Sequence, residues 1–196
     1  MGRKAKFKDI DFLDAALKLV AEGEAGAATV SAIAEELGAP IGSVYHRFST
    51  KEVLLAELWL RTVESFQRGF LEALGRLDGL SAALHTPGWV RENLMEGKVL
   101  LVHRREELVS GQWPEEVKGK AGRLSYELDE GIKDYARQTF GDVMETSILK
   151  TTFALIDVPY SATKRYLMKE KSPPKILDEL IEKTFYAVIG GRDENL

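Results

Sequence analysis

The chain has 196 residues, 44% of them hydrophobic and 30% charged, with 27 Lys and Arg against 31 Asp and Glu for a net charge of −4, and it has no cysteine. This describes a soluble globular protein able to bury a core, leaves no disulfide framework or thiolate chemistry, and suits a reducing, cytoplasmic setting. Apolar runs such as Val99 to Val102 fall far short of a membrane span. The acidic balance excludes indiscriminate coating of nucleic acid but not a local basic face, because screening confines attraction to phosphate within roughly 8 Å at physiological salt.

Residues 1–8 carry Arg3, Lys4, Lys6 and Lys8 with no acidic neighbour before Asp9, and read equally as a basic arm or a solubilising terminus. An amphipathic segment follows rather than the apolar block of a signal peptide. From Ile10, the positions Leu13, Ala16, Leu17 and Val20 predict a first helix, stopped by Gly23-Glu24-Ala25-Gly26. Thr29 can cap a second helix, in which Val30, Ile33, Ala34 and Leu37 share one face. Gly38 permits the left-handed turn that closes it, and Pro40 suits the start of a third. There Val44 and Phe48 point inward and leave Ser43, Tyr45, His46 and Arg47 outside.

Ser49 with Glu52, or Thr50 alone, caps the next helix. Leu54, Leu55, Leu58, Thr62, Phe66, Phe70 and Leu74 then keep helical spacing until Asp78-Gly79, too far for a small domain alone, so this helix is a mechanical link. Thr86-Pro87 opens a short helix with Trp89 and Leu94, and Gly97 separates it from one through Leu100, Leu101 and Leu108. A loop at Ser110–Pro114 leads to a stripe of Val117, Ala121, Leu124, Leu128, Ile132 and Tyr135. Gly141 breaks that helix, and Asp142 with Glu145 offers a capping box for another through Leu149, Phe153 and Ile156, kinked or ended by Pro159. Ser172-Pro173-Pro174 starts the last, which Gly190-Gly191 stops. No strand pattern stands out.

Phe12-Leu13-Asp14-Ala15-Ala16-Leu17, Thr29-Val30, Ile33-Ala34-Glu35, Gly38, Gly42-Ser43-Val44-Tyr45-His46, Phe48 and Lys51-Glu52 together resemble the DNA-binding domain of the TetR/AcrR family of bacterial regulators. The resemblance covers about the first third of the chain. It implies an all-α protein: a three-helix helix-turn-helix domain at residues 1–50, joined by the long helix to a helical ligand-binding and dimerisation domain at residues 51–196. Glu24 and Ala25 depart from the glycine and aromatic usual in relatives, and Arg47 stands where relatives often carry an aromatic.

A helix-turn-helix sets its second helix in the major groove while neighbouring groups hold phosphates. The resemblance makes Thr29, Tyr45, His46 and Lys51 the phosphate holders, with Arg3 and Lys4 adding charge. Ser31, Pro40, Ile41, Gly42 and Ser43 become the candidate base readers. They are weak readers, which leaves Arg47 as the strong base-pairing side chain and gives DNA shape a larger share. Taken alone, Tyr45 would sooner suit a half-buried ring whose hydroxyl reaches water, and the motif is what favours phosphate contact; His46 would suit a plain surface histidine. A cation at the start of a helix, as at Lys51, opposes the macrodipole and suggests an external anion.

The resemblance further implies a cavity for a small-molecule effector, with Phe66, Trp89, His103, Trp113, Tyr126 and Phe153 as candidate contacts against the plainer reading of each as core. It implies a homodimer through about Asp142–Met168 and Pro174–Ile189, a double-stranded DNA operator as partner, no membrane and no cofactor. The three histidines are widely spaced, no zinc motif, nucleotide loop or nucleophile elbow appears, and His103-Arg104-Arg105-Glu106-Glu107 reads as a solvated face, so no enzyme and no metal site is expected. The expected function is a repressor that binds a palindromic operator as a dimer and is released by a small molecule. A ligand-independent activator or repressor, or an enzyme or ligand carrier with a vestigial helix-turn-helix, is the alternative.

Overall fold

Helix α1 (Asp9–Glu22) opens with Asp11 accepting from the Lys8 amide at 2.7 Å, and it buries Phe12, Leu13, Ala16, Leu17 and Val20 on one face. A short 3-10 turn at Ala25–Ala27 leads to α2 (Val30–Leu37), where the Thr29 hydroxyl accepts from Ala32 N at 3.1 Å. Gly38 closes α2 in the left-handed conformation at φ 60°, which costs a glycine nothing. Pro40 then starts α3 (Ile41–Tyr45), which Val44 and Phe48 pin to Phe12, Ile33 and Ala34. The computed structural model describes residues 7–23, 25–103 and 113–190, and among them every regular element is helical, with no strand.

Helix α4 (Lys51–Gly75) starts at Thr50, whose hydroxyl accepts from Val53 N at 3.2 Å. Its 25 residues extend about 37 Å. Leu54, Leu55 and Leu58 complete the core of α1–α3, whereas Phe70, Ala73 and Leu74 lie in a second core. The expected division at residue 50 thus falls on the cap of a helix whose first two turns pack backwards. The second core adds Ala82 and Ala83 of α5 (Gly79–Glu92), Ile132 and Tyr135 of α7 (Glu115–Phe140), and Ile181 and Phe185 of α10 (Ile176–Val188). Between the two cores, α6 (Leu94–Leu101) sends Val99 into the first.

Three expectations are corrected. Pro87 does not open a helix but lies inside α5, which starts earlier because the Asp78 carboxylate accepts from Ser81 N at 3.0 Å. Nor does Gly97 separate two helices: the break is at Asn93, and Gly97 sits within α6 where a Cβ would come 3.1 Å from both methyls of Val90. It allows α5 and α6 to approach. Asp142 caps no helix through a box with Glu145; its carboxylate accepts from Met144 N at 3.0 Å and Ser147 Oγ at 2.6 Å, ahead of α8 (Glu145–Thr152).

Pro159 neither ends nor sharply breaks the helix it occupies. A π turn at Phe153–Asp157, with Val158 N donating to the Phe153 carbonyl, joins α8 to α9 (Val158–Leu167). One wide turn shifts the hydrogen-bond register just before the residue that has no N–H to give. No helix among the described residues is long and apolar enough to cross a membrane.

Candidate nucleic-acid interface and cavity

The α2–α3 unit turns its sequence-predicted residues outward. Ser31 is exposed on the first turn of α2, and Thr29, though its hydroxyl caps the helix, is exposed as well. Pro40, Ile41, Gly42, Tyr45 and His46 form a contiguous exposed group, with Ile41 at 49% and Tyr45 at 55% accessibility. No intramolecular packing demands such exposure of an isoleucine and a tyrosine on a five-residue helix. Ser43 is half-buried and donates to the Pro40 carbonyl, so its hydroxyl also stiffens the turn. Lys51 stands half-exposed at the start of α4. Arg3 and Lys4 lie outside the described residues.

Arg47 is placed differently from its sequence expectation as the strong base reader. Its guanidinium pairs with Asp9 and donates through Nη2 to the Phe7 carbonyl at 2.6 Å. A planar fork that satisfies a carboxylate and a carbonyl together is held in place, and here it ties the end of the α3 segment to the start of α1. Arg47 thus acts here as a hydrogen-bonded clamp.

A cavity of about 340 Å³ lies beside the middle of α4. Trp59, Val63, Phe66, Gln67 and Phe70 form the α4 wall, and α6 contributes Leu100 and Leu101. Leu124 and Leu128 of α7, Leu155 and Ile156 of the π turn and Tyr160 of α9 complete it, with Thr86 and Ser125 among its few polar groups. The Gln67 carbonyl oxygen is buried without a hydrogen-bond partner. Such a lining suits a largely apolar small molecule held by few polar contacts.

Of the six aromatic and histidine candidates, Phe66 lines this cavity. Trp89 is one layer back, edge-on to Phe66 at 5.4 Å between ring centroids. Trp113 packs on Val53, Leu60 and Val117, outside the wall. Tyr126, 66% accessible, and Phe153, 45% accessible, face outward, and His103 is not among the lining residues. Trp59, Gln67, Phe70 and Tyr160 also line it and were not among the six candidates. The signal for four wall residues was nevertheless present, since Trp59, Val63, Phe66 and Phe70 recur at one-turn intervals along α4.

Behind Phe66, His85 donates from Nε2 to the Phe66 carbonyl at 2.8 Å. Burial pushes its imidazole below the ordinary histidine value, against the opposing pull of that carbonyl and of Glu92. On the other side of the cavity, α6 connects directly to the first core: Lys98 Nζ donates to the Ala21 carbonyl at 3.0 Å while Leu100 and Leu101 line the wall. Among the described residues no group of three His, Asp or Glu side chains is placed to hold a metal ion.

Residues 12–58 match the model of the family described as bacterial regulatory proteins, tetR family. Compared by sequence with curated proteins, the chain matches none. Its fold is similar to that of the transcriptional regulator FadR from Bacillus subtilis, solved in complex with stearoyl-CoA, at 16% identity and a TM-score of 0.68 over 94% of this chain and 100% of that one. It is similar also to the fatty acid degradation regulator FadR from Bacillus halodurans, at 16% identity and a TM-score of 0.60 over 98% and 100% of the two chains.

Proposed function

We propose that this chain, a tetR-family transcriptional regulator by its residues 12–58, is a homodimeric repressor that holds a two-fold-related operator and is released by a small molecule carrying an apolar chain. The observation that carries this reading is the double attachment of α4 and α6. Both helices line the cavity and both enter the core of α1–α3. A molecule in the cavity therefore touches the supports of the outward-facing α3. Release follows if the effector binds unequally to two placements of those supports, with couplings of ~1–3 kcal/mol typical.

The effector class is suggested by the apolar wall and by the stearoyl-CoA held in the Bacillus subtilis neighbour. Dimerisation is supported by apolar side chains left uncovered on the last helices. Val143, Met144, Leu149 and Phe153 are exposed near α8, as are Ile176, Leu180 and Tyr186 on α10. These fall within Asp142–Met168 and Pro174–Ile189, and a two-fold contact between such helix pairs is a closed arrangement. It would set two copies of α3 about 34–36 Å apart, or a multiple of that, for successive major grooves.

On DNA, Thr29, Tyr45, His46 and Lys51 hold phosphates, with Arg3 and Lys4 adding charge. Ser31, Pro40, Ile41, Gly42 and Ser43 meet base edges, and Arg47 positions α1 against α3. The test is fluorescence anisotropy on duplexes selected from genomic fragments. Tyr45→Phe and Lys51→Ala should weaken binding to all duplexes alike, the lysine change lowering the salt slope by about 1. Altered sequence preference with an unchanged slope would overturn these roles, and a protein that selects no duplex would overturn the function.

A further inference from the structure

Helix α9 presents Tyr160, Ser161, Lys164 and Arg165, and the turn after it Met168 and Lys169, along an open groove on the protein surface. Tyr160 belongs to two places at once, lining this groove and the cavity behind it. Its hydroxyl donates to the Leu101 carbonyl at 3.1 Å and accepts from Lys164 Nζ at 3.2 Å, and the same ammonium lies 5.4 Å from the ring centroid. One ring thus separates an apolar space from a cationic surface.

Lys164, Arg165 and Lys169 pair with no carboxylate among the described residues; Glu170, beside them in sequence, has its carboxylate 3.8 Å from Lys98 instead. Like charges within a helical turn or two repel, so the cluster is relieved by an anion from outside. Lys164 and Arg165 on the last turns of α9 and Lys169 in the turn beyond it are spread over more than one carboxylate can meet. A phosphorylated group with several anionic oxygens can meet them together.

We propose that the cavity and the groove are a single two-part site for an amphiphile, its apolar chain in the cavity, its phosphorylated head on Lys164, Arg165 and Lys169, and Tyr160 at the joint. This rests on the reading of the cavity as the effector site. It adds which end of the effector is recognised by charge and where.

The experiment follows tryptophan emission, with Trp59 in the cavity wall, as the full-length protein is titrated with dodecanoyl-CoA, dodecyl phosphate and dodecanol. The parent is compared with Lys164→Ala/Arg165→Ala/Lys169→Ala and, as a milder surface change, with Arg165→Glu. The expected result is unchanged affinity for dodecanol and a loss of about tenfold or more for at least one phosphorylated probe, the worth of one charge-assisted hydrogen bond, with flattened salt dependence. The tighter of the two phosphorylated probes tells a nucleotide thioester from a simple phosphate ester. Phosphorylated probes that bind parent and variants alike, or a parent that takes dodecanol and neither of them, would overturn the two-part site and leave the cavity reading standing. A parent that binds none of the three would remove both.

Discussion

Phe12, Ile33, Val44 and Phe48 meet at the centre of the first three helices and are almost wholly buried against one another. Helix α4 adds Leu54, Leu55 and Leu58 to that core, yet its Trp59, Phe66 and Phe70 stand around about 340 Å³ of cavity. A filled core has one low-energy arrangement, which suits a unit whose task is to hold Ile41 and Tyr45 outward in a fixed pose. A core with a cavity gives up dispersion contacts along its walls, and a ligand can restore them, so its packing depends on what occupies it. One helix serves both regions, which makes the loosely packed end able to inform the tightly packed one.

The sharpest way to break this comparison is to add volume to each region. Ile33→Phe forces a ring into a site without access to solvent and should cost about 1–3 kcal/mol. Val63→Phe can send its ring into the cavity it lines and should cost under about 1 kcal/mol while weakening effector binding. Urea unfolding midpoints measure both. Equal losses would mean that the two cores are packed alike.

The two regions differ in the same direction in how far the sequence discloses them. Thr29, Gly38, Pro40 and Thr50 obey rules that operate within a few residues, so the first three helices and the start of α4 could be read directly. Pro87, Gly97 and Pro159 use the same residue types, but their meaning is set elsewhere: a cap well upstream at Asp78, the methyls of Val90 on the neighbouring helix, a widened turn at Phe153–Asp157. Periodicity says which face of a helix is apolar, not whether core, cavity or solvent lies opposite. That is why Phe66, Trp89, Tyr126 and Phe153 looked equivalent, yet the first lines the cavity, the second packs behind it and the last two face solvent. Arg47 escaped for a related reason, since its partner Asp9 lies 38 residues away.

That arginine supplies a smaller test, confined to the first region. Arg47→Ala removes the Asp9 pair and the bond to the Phe7 carbonyl; with the Asp9 end largely exposed, the loss of stability should be about 1 kcal/mol. Arg47→Lys should restore little, because an ammonium has no fork to address both acceptors. Operator affinity should fall and the order of preferred sequences should not change. A reordered preference would return Arg47 to the bases.

The smallest effect belongs to the second region and depends on pH. His85 sits against Phe66, with ring centroids 4.9 Å apart, and burial holds its imidazole below the ordinary value of 6.5. In the unfolded chain the ring protonates as pH falls through that value, whereas in the folded protein it stays neutral further down. The unfolded state therefore binds more protons in this window, and stability drops as pH is lowered from 6.5 towards the folded value. Between about pH 7.5 and pH 6 the loss should stay below about 1 kcal/mol. His85→Gln, which can still donate to the Phe66 carbonyl but does not titrate, should flatten that part of the melting-temperature profile. Because the ring lies directly behind the cavity wall, dodecanol bound against Phe66 should shift the wild-type profile and leave the variant's shape unchanged. A profile identical in the two proteins would mean that the second core is too open to keep this imidazole neutral.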